Sequence, residues 1–310
     1  MHAESGVAGP VLIRHRAPPL LDGIVAGIVG FQERATEVVT RRQHAGSLIP
    51  VILSSGPRLD VTALADGAGV GTHSSFIAGF MPGHATTAFD GEQRCIQIYL
   101  TPLGVQRLLA LPGREVARRI VDIEDVAPFF GEGFHDELWS SETWEQRFAL
   151  IDRTLIARLD QGVDSEAFVV WMWEQIRRTG GRARIADLVE RTGWSQRYVT
   201  SLFTEQVGLG PKLAARIVRF EHASSALRRS PVASVAADFG YADQSHLARE
   251  VRWFSGRTIT ELKRTAPVTA QAAIGIRVDG TESAARARRP NDEVPTLAGR
   301  DFVSGCGDRI

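Results

Sequence analysis

The sequence predicts an α+β protein of more than one domain. A β-rich amino-terminal part, barrel or sandwich with flanking helices, is followed by an all-α part of two helix-turn-helix units joined by a long helix. Three observations predict this. The chain has 310 residues, which at roughly 100–200 residues per domain leaves room for two. Short apolar runs bounded by Gly, Pro, Ser and Asp fill the first hundred residues, whereas from residue 166 to 264 every apolar pattern has helical spacing. The charge also reverses. Residues 1–164 carry 14 basic and 20 acidic groups, a net of −6, and residues 165–265 carry 16 and 10, a net of +6. A basic block following an acidic one points to a polyanion as partner of the second part. The expected division is therefore a β-rich domain at 1–164, a second, basic helical domain at 165–265, and a mostly disordered tail at 266–310.

The β-rich part is read from Val11-Leu12-Ile13, Ile24-Val25, Val38-Val39, Leu48 to Leu53, Phe76-Ile77 and Cys95 to Leu100. In the last of these Ile96, Ile98 and Leu100 alternate, the signature of a half-buried strand. Thr101-Pro102 then predicts a helix through about Leu109, capped by the threonine with Pro at the first helical position. Between 142 and 160, Trp144, Phe148, Ile151, Leu155 and Leu159 make one helical stripe. That stripe suits packing on the β-rich domain or, by its 4-3-4 spacing, a homodimer seam.

Seven helices are expected in the basic block, near 166–178, 184–192, 196–207, 211–229, 232–239, 243–255 and 258–264. Within it the plan of a short helix, a glycine turn and a longer helix occurs twice, at 184–207 around Gly193-Trp194-Ser195 and at 232–255 around Gly240-Tyr241-Ala242-Asp243. Each second helix opens behind a good cap, Ser195 or Asp243. This is the plan whose second helix enters the major groove of DNA. Val199, Leu202, Phe203 and Val207 make the inner side of the first recognition helix, and Arg197, Thr200, Ser201 and Thr204 the outer. In the second, Leu247, Val251 and Phe254 are inner, Ser245, Arg249 and Arg252 outer, with Glu205 and Glu250 nearer the flanks. The connector, Pro211 to Arg229, would be about 28 Å long at 1.5 Å per residue, a strut able to hold two helices about one DNA turn apart.

Gly193-Trp194-Ser195, Leu202-Phe203, Val207-Gly208, Pro211, Ala233 to Gly240, Tyr241, Asp243 to Leu247, Arg249 and Gly256, at these spacings, resemble the DNA-binding domain of the AraC family. Residues 1–164 more loosely resemble the amino-terminal domain of one uncharacterised AraC subgroup, on Phe76-Ile77-Ala78-Gly79 and Val121-Asp122-Ile123-Glu124-Asp125. The resemblance implies a cytoplasmic transcription regulator, more often an activator, that works with RNA polymerase and is controlled through its first domain by an effector or by dimerisation. It places groove contacts on Arg197, Thr200 and Ser201 in the first unit and on Gln244, Ser245, His246 and Arg249 in the second. Arg197 and Arg249 suit guanine O6 and N7, Gln244 adenine N6 and N7, and Arg252 a phosphate. Departures are Ser201 where arginine is common, Gly210 in place of a capping serine, Ile259 in place of proline, and Trp253 at a usually basic site, where it is expected to pack against a neighbour or, alternatively, to make an exposed aromatic contact with a partner.

The remaining candidates are weaker. Cys95 and Cys306 cannot staple the fold or make a zinc site, and Cys95 reads as a buried inert thiol. His73 and His84 lack the His-x-His and carboxylate pattern of a metal site, so no metal or cofactor is expected. The alternative to an effector-controlled regulator is a cupin-like metal enzyme fused to a DNA-binding domain, or a regulator whose first domain only dimerises. A cavity among Ile49, Ile52, Phe76, Phe89, Ile96 and Ile98 would hold an effector, though the same residues could fill a barrel. No apolar run reaches the 18 residues of a membrane span.

Overall fold

The computed structural model of the protein describes residues 10–264. The expected disordered tail at 266–310 lies outside the described residues. Eight strands form one antiparallel sheet: β1 (Val11–His15), β2 (Val25–Gln43), β3 (Ile49–Ser55), β4 (Leu59–Leu64), β5 (Gly71–His73), β6 (Phe76–Ala78), β7 (Ala85–Leu100) and β8 (Ile120–Asp122). Their order is β1-β2-β7-β3-β6-β8. β3 and β4 share one edge of β7, pairing with Arg94–Leu100 and Ala85–Ala88 respectively, and β5 adds to β4.

Val25 of the run at 24–25 and the whole run at 38–39 belong to one strand, β2, of 19 residues. Its middle is polar, Gln32-Glu33-Arg34, which conceals the continuity. It pairs with an equally polar stretch, Glu92-Gln93-Arg94, and the register shifts between Ala35 and Val39. On β7, Ile96, Ile98 and Leu100 alternate as expected and join the core beneath the helices, while Cys95 packs on the other face with Phe31, Ile52, Val61, Phe76 and Ile120.

Five helices flank the sheet: α1 (Pro102–Leu109), α2 (Gly113–Val116), α3 (Ile123–Val126), α4 (Glu132–Ser140) and α5 (Trp144–Leu159). Thr101 Oγ1 accepts the Gly104 N–H at 3.0 Å, the cap read from Thr-Pro. A capping box between Thr143 and Gln146 opens α5. Phe148, Ile151 and Leu155 of α5 are buried in the main core, with Trp144 and Leu159 packed against it. Burial at home removes the stripe as a homodimer seam, because its apolar surface is already out of water.

The basic block is helical throughout: α6 (Ala167–Arg178), α7 (Ile185–Thr192), α8 (Gln196–Val207), α9 (Pro211–Ala226), α10 (Val232–Asp238), α11 (Gln244–Ser255) and α12 (Ile259–Arg264). The linker helix α9 stops at Ala226, three residues short of the expectation. Tight turns from Arg228 N to Ser225 O and from Arg229 N to Ala226 O take over before Pro231. Its 16 residues span about 24 Å rather than 28 Å. One apolar core runs through both parts, from Leu21 to Leu262. Trp171 and Trp173 are both buried in it, and Trp173 meets Phe80 of the sheet part edge-on at 6.1 Å. Among the described residues no helix is long and apolar enough to cross a membrane.

Candidate nucleic-acid interface

In the first unit Gly193 takes the left-handed conformation that ends α7, at φ 73°, and Ser195 Oγ accepts the Tyr198 N–H at 3.3 Å to start α8. Val199, Phe203 and Val207 are fully buried, which turns the opposite side outward. Arg197 and Ser201 are exposed there and Thr200 is half-buried. Trp194 and Tyr198, to which the sequence reading assigned no role, are exposed beside them with ring centroids 5.1 Å apart.

In the second unit Asp243 Oδ1 accepts the His246 N–H at 2.6 Å, capping α11. Leu247, Val251 and Phe254 are buried, and Gln244, Ser245, Arg249 and Arg252 are exposed. His246 is half-buried: its Nδ1 accepts the Ala242 N–H at 3.4 Å and its ring stands edge-on to Tyr241 at 5.3 Å. The turn thus occupies one of its two nitrogens.

Two expectations fail here. Glu250 is no flanking surface acid but 3% exposed. Its carboxylate accepts Arg216 Nε at 2.6 Å and Arg219 Nη2 at 3.3 Å, both from α9. Arg219 also lies over the Tyr241 ring at 4.6 Å, and burial together with the Glu250 charge pushes the Tyr241 hydroxyl far above its ordinary pKa. The signal available was two arginines three apart on the linker, on one helical face. Trp253, expected to be packed, is 56% exposed. Burying Val251 and Phe254 on either side leaves its position facing outward.

Besides the Trp173–Phe80 contact, the sheet part reaches the first unit, the linker and the second unit of the helical block. Gly113 of α2 lies against the end of α8, where a Cβ would stand 2.4 Å from Gln206 O. On the linker, Glu221 Oε1 accepts the Ser47 N–H at 2.8 Å. In the second unit Phe254 O accepts the Ala45 N–H and Gly256 O accepts Arg42 Nη1, each at 2.9 Å. The spacing and tilt of α8 and α11 are therefore set by the sheet part as well as by α9.

Burial pushes the Glu221 carboxyl up to about 7, against the Ser47 hydrogen bonds and the more distant Arg177 charge, which favour the ionised form. Its folded pKa lies above the unfolded value. Between about pH 4.5 and 7 the unfolded chain gives up this proton first, and stability falls as pH rises through that window. Glu221→Gln should remove the effect. Thermal melts across pH 5–8 are expected to converge with wild type at pH 5 and to favour the variant by about 2 kcal/mol above pH 7. Equal melting temperatures at pH 8 would contradict it. His44, half-buried and edge-on to Phe220 at 5.8 Å, has its pKa lowered chiefly by desolvation. It works in the opposite sense, losing stability as pH falls below 6.5 in both proteins.

The face of the sheet turned away from the helices lines a second feature, a cavity of about 160 Å³ whose lining includes Arg41, Gln43 and His44. Of the six residues expected there, Ile52, Phe76 and Phe89 line it, whereas Ile49, Ile96 and Ile98 face the helices. Gln93, Cys95, Gln97 and Tyr99 take their place. The reason is the strand period of two: choosing the apolar face of β7 selected the side covered by helices. Arg41 is held by Glu33 within β2, so its charge is compensated. Burial raises the Cys95 thiol to about 12, so it stays protonated. His73 bonds Asp122 and Gly69 O, each at 2.9 Å. Among the described residues no group of three or more His, Cys, Asp or Glu could hold a metal ion.

Residues 188–265 match the family model described as a helix-turn-helix domain, of the AraC type. That match covers 78 of the 310 residues and supports a DNA-binding role for this part of the chain. Among solved structures the chain is similar to ToxT from Vibrio cholerae, at 8% identity over 76% of this chain and 97% of that one, with a TM-score of 0.42. An unsaturated fatty acid-bound ToxT is similar at 9% identity, 78% and 96% coverage and TM-score 0.42. The AraC-like transcriptional activator CuxR is similar at 12% identity, 82% and 84% coverage and TM-score 0.27. No curated protein matches the chain.

Proposed function

We propose that the protein is a cytoplasmic regulator that reads two adjacent major-groove segments of duplex DNA and activates transcription with RNA polymerase, under control of a small molecule held by its sheet domain. The observation that carries the DNA-reading part is the pair of capped helices on one linker, each with a buried apolar side and an exposed side of short polar groups around arginine. In this reading Arg197, Thr200 and Ser201 read one segment and Gln244, Ser245 and Arg249 the other. His246 contributes through its Nε2 alone, and Arg252 holds a phosphate. For the effector, the support is the 160 Å³ cavity, in which Arg41 is paired with Glu33 and the other polar lining is Gln43, His44, Thr87, Gln93, Gln97 and Tyr99, a lining suited to a small uncharged molecule. Dimerisation, if used, needs a surface other than the buried stripe of α5.

Selection from random duplexes with the full-length protein, at one stated salt concentration, tests the DNA reading. Two short blocks about 10 base pairs apart are expected. Arg249→Ala should relax one block only and weaken binding to it by about 1–3 kcal/mol. Uniform weakening across sequences would reduce Arg249 to a phosphate contact, and no enrichment at all would overturn the reading.

A further inference from the structure

The outward side of α11 does not face open solvent along its whole length. A cleft of about 750 Å³ lies between it and the sheet part. Ala65, Asp66, Gly83 and His84 form one wall, and Ala248, Arg249, Arg252 and Trp253 the other, with Thr258 and Ile259 at its end. Its volume matches that of drug-sized ligand sites, and its walls are predominantly apolar. Arginine outnumbers acid in its lining, Arg249 and Arg252 against Asp66. Asp66, the one acid of the lining, is already paired with Arg118 at 2.6 Å, and Glu261, outside the lining, accepts from the Thr258 N–H and hydroxyl while its charge also acts on Arg252. The exposed guanidinium groups of Arg249 and Arg252 remain, with Arg42 close enough to join Arg252 in lowering the His84 pKa after desolvation. Trp253 presents an open indole face beside them.

The geometry points to this cleft as a binding site for a small organic anion with a flat apolar body. A carboxylate or sulfonate would sit between Arg249 and Arg252, where two planar guanidinium groups can donate in parallel. Its apolar body would lie along Trp253, Ala248 and Ala65, displacing water from the walls. The site is separate from the cavity inside the sheet, with which it shares only Gly83. Because Arg249 and Arg252 are also the proposed DNA contacts of the second unit, such a ligand competes with DNA for that unit. That last consequence, unlike the site itself, rests on the proposed function.

The probe is 1-anilinonaphthalene-8-sulfonate, titrated into the full-length protein at pH 7 and followed by fluorescence and calorimetry, with the uncharged N-phenyl-1-naphthylamine as comparator. One sulfonate per chain should bind, at micromolar affinity. Ala65→Trp and Ala248→Phe, both at exposed positions, fill the cleft from opposite walls, and each should weaken binding at least tenfold. Arg252→Ala should weaken the sulfonate tenfold and the uncharged probe less than threefold. Val61→Phe, inside the sheet, should change neither. The proposal fails if both filling variants bind like wild type, if Val61→Phe is the change that abolishes binding, or if binding is multiple and unsaturable. Displacement of the bound probe by a non-specific duplex tests the competition alone: a probe that binds as expected but is not displaced keeps the site and separates it from DNA reading.

Discussion

Glu250→Ala is expected to lower the unfolding free energy by about 3 kcal/mol, read as a reduced midpoint in urea at unchanged slope. The carboxylate is almost fully buried and is the shared acceptor of Arg216 and Arg219. Removing it strands Arg219, whose side chain is 18% exposed, without a counter-ion in a poorly solvated place. Arg216 is 45% exposed and can turn to water, which holds the loss to the lower end of the range for broken buried pairs. Glu250→Gln keeps the shape and one acceptor and should cost less. The functional consequence follows from position. Glu250 lies on the second recognition helix and both arginines on the linker, so this cluster fixes how α11 is carried by α9. In the proposed reading the alanine variant loses the second DNA block while keeping the first. A variant as stable as wild type would show that water replaces the arginines' partner without cost.

Gly113→Ala is expected to cost about 2 kcal/mol, a large effect for one methyl group. The added Cβ would meet Gln206 O at 2.4 Å, the Val207 carbonyl carbon at 2.8 Å and Gly208 N at 2.9 Å. All three are backbone atoms, which cannot swing aside as a side-chain tip would. Gly208 cannot relieve the clash easily, because it caps α8 at φ 98° and a Cβ added there would itself stand 2.9 Å from Gly113 O. The substitution therefore wedges α2 away from the first recognition helix. Gly133→Ala is the control. It adds the same methyl group in the first turn of α4, where nothing stands within 4 Å, and should be neutral or stabilise by up to about 0.5 kcal/mol. If both substitutions were neutral, the close approach of α2 to α8 would not contribute to stability.

The helical block was almost fully legible because its determinants are local. Caps such as Ser195 and Asp243, left-handed glycines and a 3.6-residue period act within a few positions of the residues they organise, so α8 begins and ends where its sequence says. The sheet was less legible for the opposite reason. β4, β5 and β8 have no strong pattern of their own and exist through pairing with β7, with β4 and with β6. β2 runs through a polar middle because a polar partner lies beside it.

The same contrast separates the parts of the candidate site. Which side of α8 and α11 faces outward follows from helix period alone, and Arg197, Ser201, Gln244, Ser245, Arg249 and Arg252 are exposed as read. What surrounds those faces does not follow from it. Glu250 looked like a solvated flank until two arginines 31 and 34 residues away closed on it. Trp253 looked like packing because nothing in a sequence says that its neighbours on the helix take up all the available core. The apolar alternation on β7 was correct, yet which face the helices would cover and which would enclose a cavity depended on their docking. By itself, then, the sequence determined the order and type of the helical elements, the two turns and the outward residues of both recognition helices. Only the tertiary structure decided how those helices are held and what stands opposite Arg249 and Arg252, because burial, buried ion pairs and clefts arise from approaches between residues tens to hundreds of positions apart.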